Sequence, residues 1–150
     1  GCRSFTRTSP IPTNSMSVEE ELHYIFKTDQ LDRRRVLMKV LLQSEAKYMV
    51  NHKLIAVSDR DSVRLTRVIY LDSSNSIKSD QANFHAAFIY LHSGGIKMTD
   101  DTTYFKRSCQ LFNNVLLHSA DRKLKQKAKT YFQEAKNQLE WNRIATANKQ

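Results

Sequence analysis

At 150 residues, 40% of them hydrophobic and 26% charged, the chain has the size and composition of one globular domain with its own core, which excludes disorder throughout. Two cysteines exclude a disulfide framework, and no stretch approaches the ~18 apolar residues of a membrane-spanning helix. Lysine and arginine outnumber aspartate and glutamate 24 to 15, for a formal charge of +9; that field attracts nucleic acid, anionic lipid or an acidic partner without choosing among them.

Residues 1–16 hold both prolines, Pro10 and Pro12, among serines, threonines and arginines with no apolar period, and read as a flexible tether. A cysteine followed directly by such a tether looks like the start of a mature bacterial lipoprotein, which makes Cys2 a candidate lipidation site. A cysteine with no such role is the competing reading. The first reading places the protein in the bacterial envelope, periplasmic or anchored through the lipid; the alternative is the cytoplasm.

Residues 17–141 read as one helical domain and 142–150 as a frayed tail. Only two glycines and no proline follow position 12, so helix breakers are scarce and an all-α fold of about five helices is expected. Ser17-Val18-Glu19-Glu20 is a capping box, and Val18, Leu22, Ile25 and Phe26 form the apolar stripe of a first helix. Leu37, Val40, Leu41, Ser44 and Tyr48 mark a second pattern, continuous with the first or separated from it between Thr28 and Arg35. Ser58-Asp59-Arg60-Asp61 opens a further helix that turns Leu65, Val68, Ile69 and Leu71 inward and carries a stripe of arginines at 60, 64 and 67. The polar run Asp72 to Ser76 is a turn.

The central helix spans 80–93, with Ser79 as its cap and Gly94 as the left-handed residue that stops it. Phe84, Phe88 and Leu91 share one stripe, while Gln81, His85, Ile89 and His92 share the next. Ala82, Ala86 and Ala87 allow a neighbouring helix close approach. Thr99-Asp100-Asp101 caps a helix with Phe105, Cys109, Phe112, Val115 and Leu116 on one face, and Cys109 reads as a small core residue. Ser119 opens the last helix, with Leu124, Ala128, Tyr131, Phe132, Ala135 and Leu139 inward and Arg122, Lys125, Lys129 and Lys136 on the solvated side. Trp141 covers the rim of the core. The last three helices follow one another through short connections and pack as antiparallel hairpins.

No metal is expected: seven residues of helix separate His85 from His92 by ~10 Å, too far to share an ion, and no zinc-site spacing occurs. Nucleotide-binding glycine loops and nucleophile motifs are missing too, so no cofactor is expected and no catalytic residue can be assigned. What remains is a polar seam contributed by several helices, whose candidate ligand-binding residues are Asp29, Gln30 and Arg33; Asp61, Arg64 and Arg67; Gln81, His85 and His92. Arginine forks beside histidine donors suit an anionic ligand, and histidine beside aspartate suits general acid–base work. A buried network that fixes helix register is the structural alternative for any one member.

At these residues the chain resembles an uncharacterised bacterial family of small helical domains. The resemblance rests on Asp29-Gln30-x-x-Arg33, Arg60-Asp61-x-x-Arg64-x-x-Arg67-Val68 and Phe84-His85-Ala86-Ala87-x-Ile89-x-x-His92. Leu91 stands where the family carries glutamine, and the family's C-terminal signature has no clear counterpart. The resemblance covers about residues 26–139 and implies that the polar seam is a family feature, but it implies no activity.

The expected function is a helical binding or interaction module whose Asp/Arg/His seam holds an anionic small molecule or a partner peptide. One alternative is a hydrolase- or lyase-like enzyme using His85 or His92 with Asp61. A second is a basic adaptor for nucleic acid or anionic lipid, although no recognition motif supports nucleic acid. Membrane contact is expected only through a lipid on Cys2.

Overall fold

Five helices and no strand account for the described residues of a computed structural model, which are 9–40, 46–94 and 102–148, with side chains described outside 35–40, 46–59, 94, 145 and 146. The helices are α1 (Val18–Val40), α2 (Ala46–Ser73), α3 (Asp80–Gly94), α4 (Thr103–His118) and α5 (Arg122–Ala147). The architecture is an all-α single domain.

Each helix begins or ends where local chemistry dictates. At the start of α1, Ser17 Oγ accepts the Glu20 backbone N–H at 3.2 Å and its hydroxyl donates to Glu20 Oε1 at 2.9 Å; Glu19, Glu20 and Glu21 complement the positive end of the helix dipole. Ser79 caps α3 by accepting the Ala82 N–H at 3.1 Å. The stop of α2 is a Schellman motif: Asn75 adopts a left-handed φ of 57°, its N–H donates to Asp72 O and the Ser76 N–H donates to Leu71 O, both at 3.0 Å.

Several boundaries differ from the sequence reading. The span 28–35 is continuous helix, and α2 passes straight through Ser58, which opens nothing. A serine followed by acids has the composition of a cap, but α2 is already hydrogen-bonded there. α3 includes Gly94 instead of stopping before it, and α5 remains helical to Ala147 instead of fraying after 141. The cap of α5 is Asp121, whose Oδ1 accepts the N–H groups of Lys123 and Leu124 at 3.0 and 3.2 Å; Ser119 instead braces Asp121 by accepting its N–H. Trp141 is 71% exposed and does not cover the core. Leu41, Ser44 and the expected cap at 99–101 lie outside the described residues. From Ser9 onward, the segment read as a tether lies along α1: the Tyr24 hydroxyl donates to Ser9 O at 2.8 Å, the Thr28 hydroxyl donates to Pro10 O at 3.0 Å, and Ile11 packs on the core.

α3 is the axle of the fold. It packs against each of the other four helices, and every residue from Ala82 to Leu91 is buried. Ala82, Ala86 and Ala87 are fully buried, and the close approach they permit lets Ser108 on α4 donate to Ala87 O at 2.7 Å. α4 contributes Phe105, Leu111, Phe112 and Val115, and α5 contributes Leu124, Ala128 and Ala135; Cys109 is half-buried at the edge of this layer. Rings from four helices meet on α3: Phe88 lies 4.9 Å from both Phe26 and Tyr131, and Phe84 lies 5.8 Å from Phe112, all edge-to-face.

One polar tie that the sequence reading assigned to a loop belongs to this framework. Asp72, inside the last turn of α2, accepts the Tyr90 hydroxyl at 2.7 Å and two Arg107 donors at 2.8 and 2.7 Å. It thereby links α2, α3 and α4. Burial, the largest influence on its carboxyl, is outweighed by those bonds, which hold it below the usual carboxylate range.

Because Phe88 is 2% exposed and joins α1, α3 and α5, Phe88→Ala is expected to lower unfolding free energy by about 3–5 kcal/mol. Urea denaturation followed by circular dichroism measures this, and a loss below ~1 kcal/mol would show that the aromatic cluster is not the core.

Candidate functional site

The inner half of the polar seam is a charge cluster between α1 and α2. Arg64 is completely buried, and its guanidinium donates through Nε to Thr28 Oγ1 at 3.0 Å, through Nη1 to Asp61 Oδ1 at 2.8 Å, and through Nη2 to Asp32. Arg60 donates to the same Asp32 oxygen at 2.6 Å. On the outer side, Arg33 donates through Nε to Asp29 Oδ1 at 3.1 Å and through Nη2 to Asp61 Oδ2 at 3.3 Å. Three carboxylates, Asp29, Asp32 and Asp61, thus face three guanidiniums, Arg33, Arg60 and Arg64. Helical spacing accounts for the arrangement, since Asp29, Asp32 and Arg33 lie within about one turn of α1 and Arg60, Asp61 and Arg64 within about one turn of α2.

α3 adds His92. Its Nδ1 stands 3.0 Å from Asp29 Oδ2, a geometry that places the ring hydrogen on Nδ1 and the lone pair of the neutral ring on Nε2. The Phe88 ring lies edge-on at 4.0 Å and fixes the imidazole plane. Asp29 is wholly buried, whereas the His92 and Arg33 side chains are 19% and 34% exposed. One fully desolvated carboxylate therefore orients two partly accessible groups.

Asp29 and Asp61 share Arg33, and their proton affinities are pushed apart. Burial raises Asp29, but the His92 hydrogen bond, Arg33 and Arg64 together outweigh it and leave the carboxyl below its usual value. At Asp61, burial wins over Arg33 and Arg64, the neighbouring Asp29 charge adds to it, and the carboxyl is pushed up to about 6. Two carboxylates on one guanidinium cannot be equally stabilised, and the one with the histidine takes the charge.

The remaining candidates stand elsewhere. Gln30 is exposed and reaches Asp29 Oδ2 only at 3.4 Å. Arg67 belongs to a separate pair, donating to Glu21 at 2.5 and 3.1 Å. Gln81 and His85 lie toward the opposite end of α3, where the His85 ring is 5.0 Å from His23 and 4.8 Å from Phe26. His85 and His92 therefore do not converge with Arg64 on one spot. The helical wheel puts the two histidines on one stripe, but seven residues of rise, ~10 Å, carry them into different surroundings. The carboxylate that orients His92 is Asp29, not Asp61. Cys2 lies outside the described residues.

Asp32, Thr28 and Glu21 complete the pairs and were missed as candidates. The signal for Asp32 was its place three residues after Asp29, on the face that meets the arginine stripe. Among the described residues, no group of three or more histidines, cysteines and acids is arranged to hold a metal ion, and no helix is long and apolar enough to cross a membrane. Compared with protein-family models, curated proteins and solved structures, the chain matches none.

Arg64→Met would leave buried Asp32 to Arg60 alone and buried Asp61 to Arg33 alone, and a loss of roughly 3–5 kcal/mol is expected in urea unfolding. Arg33→Ala, at a partly solvated position, should cost less than half as much. Equal losses would contradict the division into a buried clamp and an accessible edge.

Two opposed shifts share one pH window. The Asp61 carboxyl, ordinarily at 3.8, is raised to about 6, so its contribution to stability is full below 3.8 and lost as pH rises through 6. The His85 ring, ordinarily at 6.5, is lowered to about 4, chiefly by burial and then by His23 and Lys127; its contribution is full above 6.5 and lost as pH falls through 4. In the wild type these slopes oppose each other. Relative to wild type, His85→Phe should gain stability on acidification across this window and Asp61→Asn should lose it. Urea midpoints taken through the window test both signs, and a His85→Phe protein with the wild-type slope would refute the assignment.

Proposed function

We propose that the protein is a helical binding module whose accessible edge, Arg33 and His92, receives an anionic group of a small molecule or a peptide. What carries the reading is that both side chains are hydrogen-bonded to the buried Asp29 while remaining partly exposed. Side chains already held in place lose little entropy on binding, and a guanidinium beside an imidazole suits a carboxylate or phosphate. Bonds to Asp29 and Asp61 engage Nε and one Nη2 hydrogen of Arg33, and a guanidinium has five donors. Arg64 is not part of the edge, because it is fully buried and already spent on Thr28, Asp61 and Asp32. The motif residues that resemble the bacterial family of small helical domains include Asp29, Arg33, Arg60, Asp61, Arg64 and His92, which supports treating the cluster as one unit.

A second reading is favoured by one observation: the buried Asp29 on His92 Nδ1 leaves the lone pair of the neutral ring on Nε2, while Asp61, on the other side of Arg33, has its carboxyl pushed up to about 6 by burial. An imidazole held in one tautomer by a carboxylate is the arrangement that general acid–base catalysis uses, and it supports a hydrolase- or lyase-like activity at the same edge.

Titration of the full chain with inorganic phosphate, acetate and citrate, followed by NMR of the histidine rings, tests the binding reading. Saturable shifts at His92 that weaken at least about tenfold in Arg33→Ala, a loss of ~1.4 kcal/mol of binding free energy, are the expected result. Shifts that never saturate, or that survive Arg33→Ala unchanged, would remove it.

A further inference from the structure

The Arg33–His92 edge offers a ligand more than positive charge. His92 Nδ1 lies 3.0 Å and Arg33 Nε 3.3 Å from the same oxygen, Asp29 Oδ2, so one buried atom holds the two groups side by side. Against burial, the His92 bond, Arg33 and Arg64 keep the Asp29 carboxyl below its usual value, and an ionised carboxylate has no hydrogen to give. The hydrogen between the two therefore belongs to Nδ1. In the neutral ring Nε2, directed away from Asp29, then carries a lone pair. The ring plane is constrained as well, because Phe88 stands edge-on to the imidazole at 4.0 Å.

The two groups make opposite demands. Arg33 can only donate: Asp29 and Asp61 take its Nε and one Nη2 hydrogen, and its remaining donors suit the oxygens of an anion. Nε2 of the neutral ring can only accept. A bare oxyanion satisfies the guanidinium and sets its own lone pairs against that of the ring. An oxyanion that also carries a hydroxyl satisfies both, with its charged oxygens on Arg33 and its O–H on Nε2. Because one carboxylate oxygen holds both groups, the hydroxyl and the charge must belong to one compact unit. We propose that this edge selects an oxyanion bearing its own hydroxyl hydrogen, hydrogen phosphate or an α-hydroxy carboxylate, over one that bears none. The inference rests on the binding reading above and narrows the chemistry of its ligand. The charged groups of the surrounding cluster are Asp29 and Arg33 from α1 and Asp61 and Arg64 from α2; they act alike on two anions of equal charge, so a preference between such anions reads the ring.

The test sets two matched pairs against the full chain at fixed ionic strength and about pH 8, where an ordinary imidazole is neutral: hydrogen phosphate with sulfate, and glycolate with acetate. Calorimetry gives the affinities, and ring-nitrogen NMR gives the tautomer of His92. Expected are a hydrogen on Nδ1, saturable binding of phosphate and glycolate that shifts His92 and leaves His23 and His85 in place, and at least about tenfold weaker binding of sulfate and acetate. On acidification until the His92 spectrum reports a charged ring, Nε2 becomes a donor, and the preference for glycolate over acetate should vanish. His92→Phe, which removes the acceptor, should bind both members of each pair alike; should that variant misfold, the acidification of the wild type decides. Sulfate and acetate binding as tightly as their partners, or a neutral ring with its hydrogen on Nε2, would overturn the inference and leave the anion-binding reading standing. No saturable binding of any of the four anions would remove both.

Discussion

A guanidinium with no access to water organises this molecule. Arginine cannot shed its charge inside a protein, so Arg64, completely buried, is tolerable only where carboxylates meet it. Asp61 is one turn away on α2, but Asp32 and Thr28 come from α1, so the pairing holds only when the two helices stand in one register. A slip of one turn would move Thr28 and Asp32 off the guanidinium and leave it to Asp61, with its Nε and Nη2 donors deprived of the partners they have now, at a cost of several kcal/mol. The same register delivers Arg33 to Asp61, and the packing of α3 on α1 brings His92 to Asp29, which is how a structural requirement in the interior produces an ordered edge at the surface.

α3 carries the consequence outward in both directions. Its middle is clamped by rings and small residues, and its two histidines stand toward the two ends of that clamped stretch. One finds a carboxylate and remains partly exposed; the other finds aromatic rings and a burial that suppresses its charge. Identical side chains on one helix thus acquire unlike partners and surroundings, because α1 presents Asp29 to one and His23 with Phe26 to the other.

Most of the fold was legible in the residues. Ser17 and Ser79 announced helix starts, the apolar spacings of α3, α4 and α5 announced their buried faces, and the alanines of α3 announced a close neighbour. What escaped had physical reasons. Ser58-Asp59-Arg60-Asp61 has the composition of a cap, and only the preceding hydrogen-bonded turns show that it lies within a helix. Asp72 read as loop because it precedes serines, yet Tyr90 and Arg107, distant in sequence, give it three hydrogen bonds. The candidate site was half legible. Asp29, Arg33, Asp61, Arg64 and His92 do meet, but a helical wheel discards axial distance and so joined His85 to a cluster it does not reach. Asp32 was passed over because nothing local distinguishes a buried aspartate from a solvated one.

Thr28 sits where the interior meets the N-terminal strap. Its oxygen takes a hydrogen from Arg64 Nε, and its own hydrogen is divided between Pro10 O and Ile25 O. The polarity of this relay is forced, since arginine can only give and a carbonyl can only receive. Each donor in such a chain strengthens the next, so part of the arginine's positive field is handed on to a carbonyl near the surface. The segment around Pro10 is therefore electrically joined to the clamp, and an event that loosens one will be felt by the other.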